Sequence, residues 1–268
     1  MGLRSLLFVP GDRPERHQKA VDAGADAVCI DLEDAVAPDR KDHGRRSTIE
    51  FLTRAPAGAS VGVRINAISS REGARDAAAL AESGVSPAFV MIPKVDGAAD
   101  IALVQRSIVA PVWSLMETPQ AYFALPEIAV AIGEAGGILF GGVDYSASLG
   151  SDMSWDALLA ARSAVVAAAA LSGCATLDVP YLDVRDEAGL IAETKRVKSL
   201  GFQGRAAIHP KQVAAINVVF TPSAAEIERA EAVVAACAAA GGGAALLDGK
   251  LIEKPVLRAA ERVLAARR

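Results

Sequence analysis

The chain has 268 residues, 52% of them hydrophobic and 22% charged, enough for a full-sized core in one large domain or two small ones. Its formal net charge is −4 and its basic residues are interspersed with acidic ones, which argues against nucleic acid as a partner. No apolar run approaches the roughly 20 residues of a membrane span, and Met1–Pro10 has no small-residue cleavage site, so it reads as a first strand with no membrane or export role. Cys29, Cys174 and Cys237 are far apart and form no CxxC pair, as in buried thiols of a cytoplasmic protein. His17, His43 and His209 are too scattered for a histidine metal cage.

Short apolar runs alternate with Ala-rich segments of helical period. In chain order the predicted strands are 5–9, 27–32, 60–66, 88–94, 112–117, 137–142, 175–181 and 206–209. Pro14 suits a first helical position, Gly24, Gly84 and Gly201 suit helix stops, and Ser154 can cap a helix over 155–171 that ends at Ser172-Gly173. Eight strands separated by single helices predict an α/β fold, a (β/α)₈ TIM barrel over residues 1–240. The competing doubly wound sheet would want a glycine-rich phosphate fingerprint after an early strand, and there is none. Gly241-Gly242-Gly243 breaks the last helix, 244–252 reads as a hairpin turning at Asp248-Gly249, and a final helix follows Pro255. Residues 241–268 are therefore expected to form a C-terminal hairpin-plus-helix arm, either a lid or a contact to a neighbouring subunit.

A barrel of this kind places its chemistry at the C-terminal ends of the strands. Those ends carry Phe8 to Arg13, then Asp31, Glu33 and Asp34, then Arg64, Lys94, Glu117, Val143-Asp144 and Ile208-His209. Helix capping explains some of these residues, but not Arg64 and Glu117 on buried strands, where unpaired charge is costly. Glu117 and Asp144 fall on adjacent strands about 5 Å apart. Two carboxylates that close repel unless one is protonated or a cation lies between them. Two oxygen donors suit Mg²⁺, which keeps waters and takes further ligands from substrate, whereas zinc would want His or Cys. The alternative is one carboxylate capping a helix and the other in a salt bridge. Arg64 suits bidentate binding of a substrate carboxylate, or else partners Asp31, Glu33 or Asp34; both hold together if the acidic cluster and Lys94 form a supporting layer.

The segments Ser5-Leu6-Leu7-Phe8-Val9-Pro10-Gly11-Asp12-Arg13-Pro14-Glu15-Arg16, Gly24-Ala25-Asp26, Asp31-Leu32-Glu33-Asp34-Ala35-Val36, Val63-Arg64-Ile65-Asn66, Glu117-Thr118-Pro119 and Gly141-Gly142-Val143-Asp144 occur in this order. Gly201-Phe202-Gln203-Gly204, Ala207-Ile208-His209-Pro210 and Asp248-Gly249-Lys250 follow. Together this set resembles the citrate lyase beta-subunit family, which groups with malyl-CoA, citramalyl-CoA and related HpcH/HpaI-type lyases. The resemblance implies a magnesium-dependent carbon–carbon lyase acting on a CoA thioester and a 2-oxo acid of the pyruvate, oxaloacetate or glyoxylate class, assembled as a homo-trimer or hexamer. It implies Glu117 and Asp144 as Mg²⁺ ligands and Arg64 as the arginine that holds the substrate carboxylate. It further implies Phe8, Arg13 and Lys19 as CoA contacts, and Ile208 and His209 as another substrate contact. Related lyases carry an Asp in the C-terminal arm that a neighbouring subunit uses as an acid/base group; here the segment reads Leu251-Ile252-Glu253-Lys254-Pro255, so Glu253 is the catalytic candidate and Asp248 the fallback. A citryl-thioester lyase subunit of a citrate lyase complex, a malyl-CoA thioesterase and a non-catalytic CoA-binding protein are the alternatives.

Overall fold

The computed structural model describes residues 3–241 and 244–267. The first half of the chain alternates β1 (Ser5–Pro10), α1 (Pro14–Val21), β2 (Ala27–Asp31), α2 (Lys41–Thr53), β3 (Val61–Arg64), α3 (Arg71–Ser83), β4 (Val90–Ile92) and α4 (Ala98–Ser107). It continues with β5 (Val112–Met116), α5 (Pro119–Phe123), α6 (Leu125–Ile132), β6 (Gly137–Phe140), α7 (Gly142–Leu149), α8 (Trp155–Ser172), β7 (Ala175–Asp178), α9 (Glu187–Leu200), β8 (Gly204–Ala207) and α10 (Pro210–Phe220). The chain ends with α11 (Ala224–Ala239), β9 (Ala245–Leu247), β10 (Lys250–Ile252) and α12 (Lys254–Ala265).

Strands β1 to β8 are parallel and close on themselves in sequence order, β8 pairing with β1. This is the expected (β/α)₈ barrel, with all eight predicted strands present. The connections depart from one helix each: two helices lie between β5 and β6, and two between β6 and β7. Thr118 explains the first of these, because its side chain accepts from Ala121 N at 3.0 Å and starts α5 directly off the strand. Ser154 starts α8 in the same way, and Gly84, Gly173 and Gly201 end their helices in the left-handed conformation. Helix α8 is also the one helix among the described residues long and apolar enough to cross a membrane, and it packs against α6, β6 and β7.

Leu6, Cys29, Met91, Leu115, Leu139, Leu177 and Ala206 fill the barrel with Phe89 and Trp113, whose ring centroids are 5.9 Å apart. Glycines make room for these two rings: a Cβ on Gly62 would lie 2.4 Å from Phe89, and one on Gly137 2.6 Å from Trp113. The interior is therefore a packed core, with no pore through it.

The chain divides into two compact units, Leu3–Asn217 and a second built on Val218–Arg268. The boundary lies earlier than the 240/241 division expected from the glycine run, because α11 packs with the arm. Ala230, Val233 and Cys237 of α11 bury with Ala245, Ile252 and Ala260. Ser223 and Glu226 form a reciprocal capping box at the start of α11. The hairpin turns as expected, with Asp248 (φ 52°) and Gly249 (φ 71°) both left-handed. Gly242 and Gly243 of the expected helix break lie outside the described residues.

Candidate functional site

A cavity of about 440 Å³ opens at the C-terminal ends of the barrel strands. Its charged lining is Asp31, Asp34, Arg64, Glu117 and Asp144, and its apolar lining includes Phe8, Leu115, Leu139, Val143, Leu182 and Ile208. Leu115 and Leu139 also belong to the barrel core, so that core is the cavity's floor.

Arg64 is the electrostatic centre of one wall. Its Nε and Nη2 donate to the two carboxylate oxygens of Asp31 at 2.7 and 2.5 Å, and Nη1 lies 3.0 Å from Glu33 Oε2. The guanidinium also stands over the Phe8 ring, 5.0 Å from its centroid. Burial works against its charge, but Asp31 and Glu33 outweigh that and raise its pKa. Asp31 in turn accepts Glu33 N at 2.8 Å and Ala35 N at 3.2 Å, so one carboxylate both shapes the turn after β2 and aims Arg64.

Glu117 sits one residue past β5 and is 1% exposed. Its Oε1 accepts the backbone N–H of Lys94 at 2.7 Å. Lys94 reaches that position with φ at 51°, a left-handed conformation unusual for a side chain with a Cβ, and its Nζ donates to Glu33 Oε1 at 2.7 Å. On the other side Gly141 lets Glu117 approach: a Cβ there would lie 2.5 Å from Glu117 Cβ and 2.9 Å from Oε2. Burial first, then the charges of Glu33 and Asp144, push the Glu117 carboxyl up to about 8, with the Lys94 N–H and Arg64 opposing. Burial likewise raises Glu33, against the pull of Arg64 and Lys94. Asp144 is half-buried in the first turn of α7, where the helix N-terminus favours its negative charge.

Five carboxylates (Asp31, Glu33, Asp34, Glu117, Asp144) thus meet two cations, Arg64 and Lys94, around one small cavity. The surplus of negative charge, and a buried Glu117 with one oxygen turned toward Gly141, fit a divalent cation held by oxygen donors. Among the described residues no group of three or more His, Cys, Asp or Glu is placed to hold a metal. A cation here would rest on Glu117 and Asp144 and complete its shell with water or substrate.

The remaining expected residues divide. Phe8, Val143 and Ile208 line the cavity with Arg64, Glu117 and Asp144. Glu33 and Lys94 stand behind that wall. Arg13 and Lys19 are exposed and are not in the lining, and His209 lies instead in a neighbouring surface hollow with Arg185 and Lys211. Glu253 is exposed in the second unit at the start of α12, and Asp248 pairs with Arg229 at 2.5 Å within that unit.

Two supports went unseen in the sequence. Lys41 Nζ donates to Leu32 O, Glu33 O and Asn66 Oδ1 at 2.6–2.7 Å and so ties the β2 and β3 ends together. Val179, Pro180 and Leu182 after β7 form part of the apolar wall. The cavity-lining residues of the seventh strand end, Val179, Pro180 and Leu182, carry no charge, so a search for charge passes over them; Pro180 directly after an apolar run was the available signal.

Residues 4–210 match the family HpcH/HpaI aldolase/citrate lyase. A (3S)-malyl-CoA thioesterase of Cereibacter sphaeroides is 38% identical over 98% of this chain and 93% of its own length. An L-malyl-CoA/beta-methylmalyl-CoA lyase of Rhodobacter capsulatus is 33% identical over 96% of this chain and 92% of its own. The structure of CitE from Mycobacterium tuberculosis in complex with magnesium, acetoacetate and coenzyme A superposes with a TM-score of 0.84 at 32% identity, covering 99% of this chain and 98% of that one.

Proposed function

This chain belongs to the HpcH/HpaI aldolase/citrate lyase family, and from that premise and the cavity's geometry we propose that it is a Mg²⁺-dependent carbon–carbon lyase. Its substrate is a 3-hydroxyacyl-CoA thioester of the malyl or citramalyl kind, and its products are a 2-oxo acid and an acyl-CoA. The observation that carries this reading is the pair Glu117 and Asp144 beside Arg64 on the wall of one cavity. An anionic substrate would be repelled by that carboxylate surplus without a cation. The relatives' names support the thioester, and the CitE complex supports magnesium together with an oxo acid and CoA.

Glu117 and Asp144 would hold the ion, Asp144 from the first turn of α7. Bound there, Mg²⁺ supplies Lewis-acid stabilisation of charge on the oxygen that becomes the oxo-acid carbonyl. Arg64 fixes the substrate carboxylate: its contacts with Asp31 and Glu33 hold the guanidinium plane still and leave further N–H donors for the ligand. In cleavage the β-hydroxyl proton passes to water at the cavity mouth, the oxygen left behind becomes the oxo-acid carbonyl as the adjacent C–C bond breaks, and that bond's electron pair passes to the thioester as an enolate. Glu253 of a neighbouring copy then protonates the enolate carbon, or removes that proton in the synthetic direction. Phe8, Val143, Leu182 and Ile208 give the acyl chain apolar surface and limit water.

Glu117→Ala and Asp144→Ala should remain folded, lose Mg²⁺ binding by calorimetry, and fail to release oxo acid from malyl-CoA or citramalyl-CoA. Full activity in either variant removes the metal assignment. The 38% relative favours a second reading, hydrolysis of malyl-CoA. Release of free thiol and malate, with no oxo acid, would establish that outcome.

A further inference from the structure

Hydrogen bonding between β7 and β8 covers only Leu177↔Gly204 and Asp178↔Arg205. Beyond those rungs the two chains run on as loops, and both loops supply cavity wall: Val179, Pro180 and Leu182 from the first, Ile208 from the second. Leu182 and Ile208 are 52% and 44% exposed, so side-chain packing does little to hold them. The missing rungs are replaced by one side chain. Gln212, in the first turn of α10 and only 2% exposed, donates from Nε2 to Tyr181 O at 2.7 Å. Its Oε1 accepts Ile208 N at 3.0 Å and His209 N at 3.3 Å. The amide orientation follows from its partners, since a flipped amide would face two N–H donors with an NH₂ and a carbonyl with an oxygen.

We propose that Gln212 is a positioning residue for the substrate: it clamps the β7 and β8 loops to each other and thereby sets the apolar wall against which the acyl part of the thioester lies. The inference rests on the lyase reading of the cavity. A second anchor, Arg205 Nε donating to Val179 O at 3.0 Å, holds the base of the β7 loop. Tyr181, Leu182 and Ile208 lie past that anchor, and Gln212 is what joins them. Glu117 and Asp144 stand on other strand ends, so the clamp acts on substrate fit and not on metal binding.

Two substitutions separate the parts of the clamp. Gln212→Leu removes all three hydrogen bonds, whereas Gln212→Glu keeps the acceptor for Ile208 and His209 and loses the donor to Tyr181. With malyl-CoA and its β-methyl homologue as probes, Gln212→Leu should raise KM at least tenfold and leave kcat within about threefold. It should also reduce the wild-type preference between the two thioesters. Gln212→Glu should fall between it and wild type. The Mg²⁺ dissociation constant, measured without substrate, should stay within twofold in both. Hydrogen exchange should accelerate at the 208 and 209 amides in Gln212→Leu and much less in Gln212→Glu. A folded Gln212→Leu with wild-type KM and preference overturns the proposal, as does a fall in kcat alone that tracks lost stability. If Gln212→Leu does not fold, Gln212→Glu decides by the same KM criterion. If the wild type turns over neither thioester, the lyase reading fails, and the clamp is then judged by exchange alone, where unchanged 208 and 209 amides overturn it.

Discussion

Magnesium binding should be coupled to loss of a proton from Glu117, and the size of the coupling follows from the site. With its carboxyl pushed up to about 8, Glu117 is mostly protonated at neutral pH in the metal-free protein. A cation needs the carboxylate, so the apparent dissociation constant carries a factor 1 + 10^(pKa−pH): about 100 at pH 6, about 11 at pH 7 and about 1.1 at pH 9. Calorimetry at pH 7 in buffers of different ionisation enthalpy should report about 0.9 proton released per Mg²⁺. Stability should show the same linkage. Glu117 is raised above its ordinary value of 4.5, so the folded protein holds a proton that the unfolded chain has lost. Its contribution is complete below about pH 4.5 and is lost as pH rises toward 8. Added Mg²⁺ should therefore raise Tm more at pH 8.5 than at pH 6. Glu117→Gln should abolish both the proton release and the pH dependence. A Mg²⁺ affinity that is flat between pH 6 and 9 in the wild type would refute this account of the site.

Lys94 offers a reversal of the usual stability order: Lys94→Gly should be more stable than Lys94→Ala by about 1 kcal/mol, because only glycine relieves the left-handed backbone. Denaturant titration checks this, and an Ala variant at least as stable would show that the conformation stores no strain. Both variants should lose at least tenfold in kcat/KM through the freed Glu33. Gly141→Ala should cost about 1–3 kcal/mol by overpacking against Glu117 and weaken Mg²⁺ binding at least tenfold by calorimetry. Glu253→Ala should fold with strongly reduced activity, and mixing it with Arg64→Ala should restore some turnover. No recovery after proven subunit exchange would count against a site shared between copies.

The barrel was legible because most buried strands read as short apolar runs and several helices carry glycine stops, as at Gly84, Gly173 and Gly201. The charged wall was legible for a related reason: an ionisable group at the end of a buried strand needs a purpose. What escaped was held by neutral or main-chain groups. Gln212 and the carbonyls gathered by Lys41 leave no periodic trace in sequence. The strain at Lys94 is a property of φ, and Lys is the residue a reader least expects there. That α11 belongs to the second unit was hidden because it has the same Ala-rich composition as the barrel helices, and its loyalty shows only in what it packs against.

The paired rings of Phe89 and Trp113, seated against Gly62 and Gly137, have a kinetic consequence. They plug the barrel beneath the cavity, so the site is closed on its barrel side and reached from the strand-end face. Access from one face favours an order. On the lyase reading proposed above, the small oxo acid should enter before the bulky thioester in the condensing direction, and in cleavage the acyl-CoA should leave before the oxo acid. Product inhibition should then be competitive with the hydroxyacyl-CoA substrate for the oxo acid and mixed for the acyl-CoA, although Phe89 and Trp113 lie in the packed core below the site.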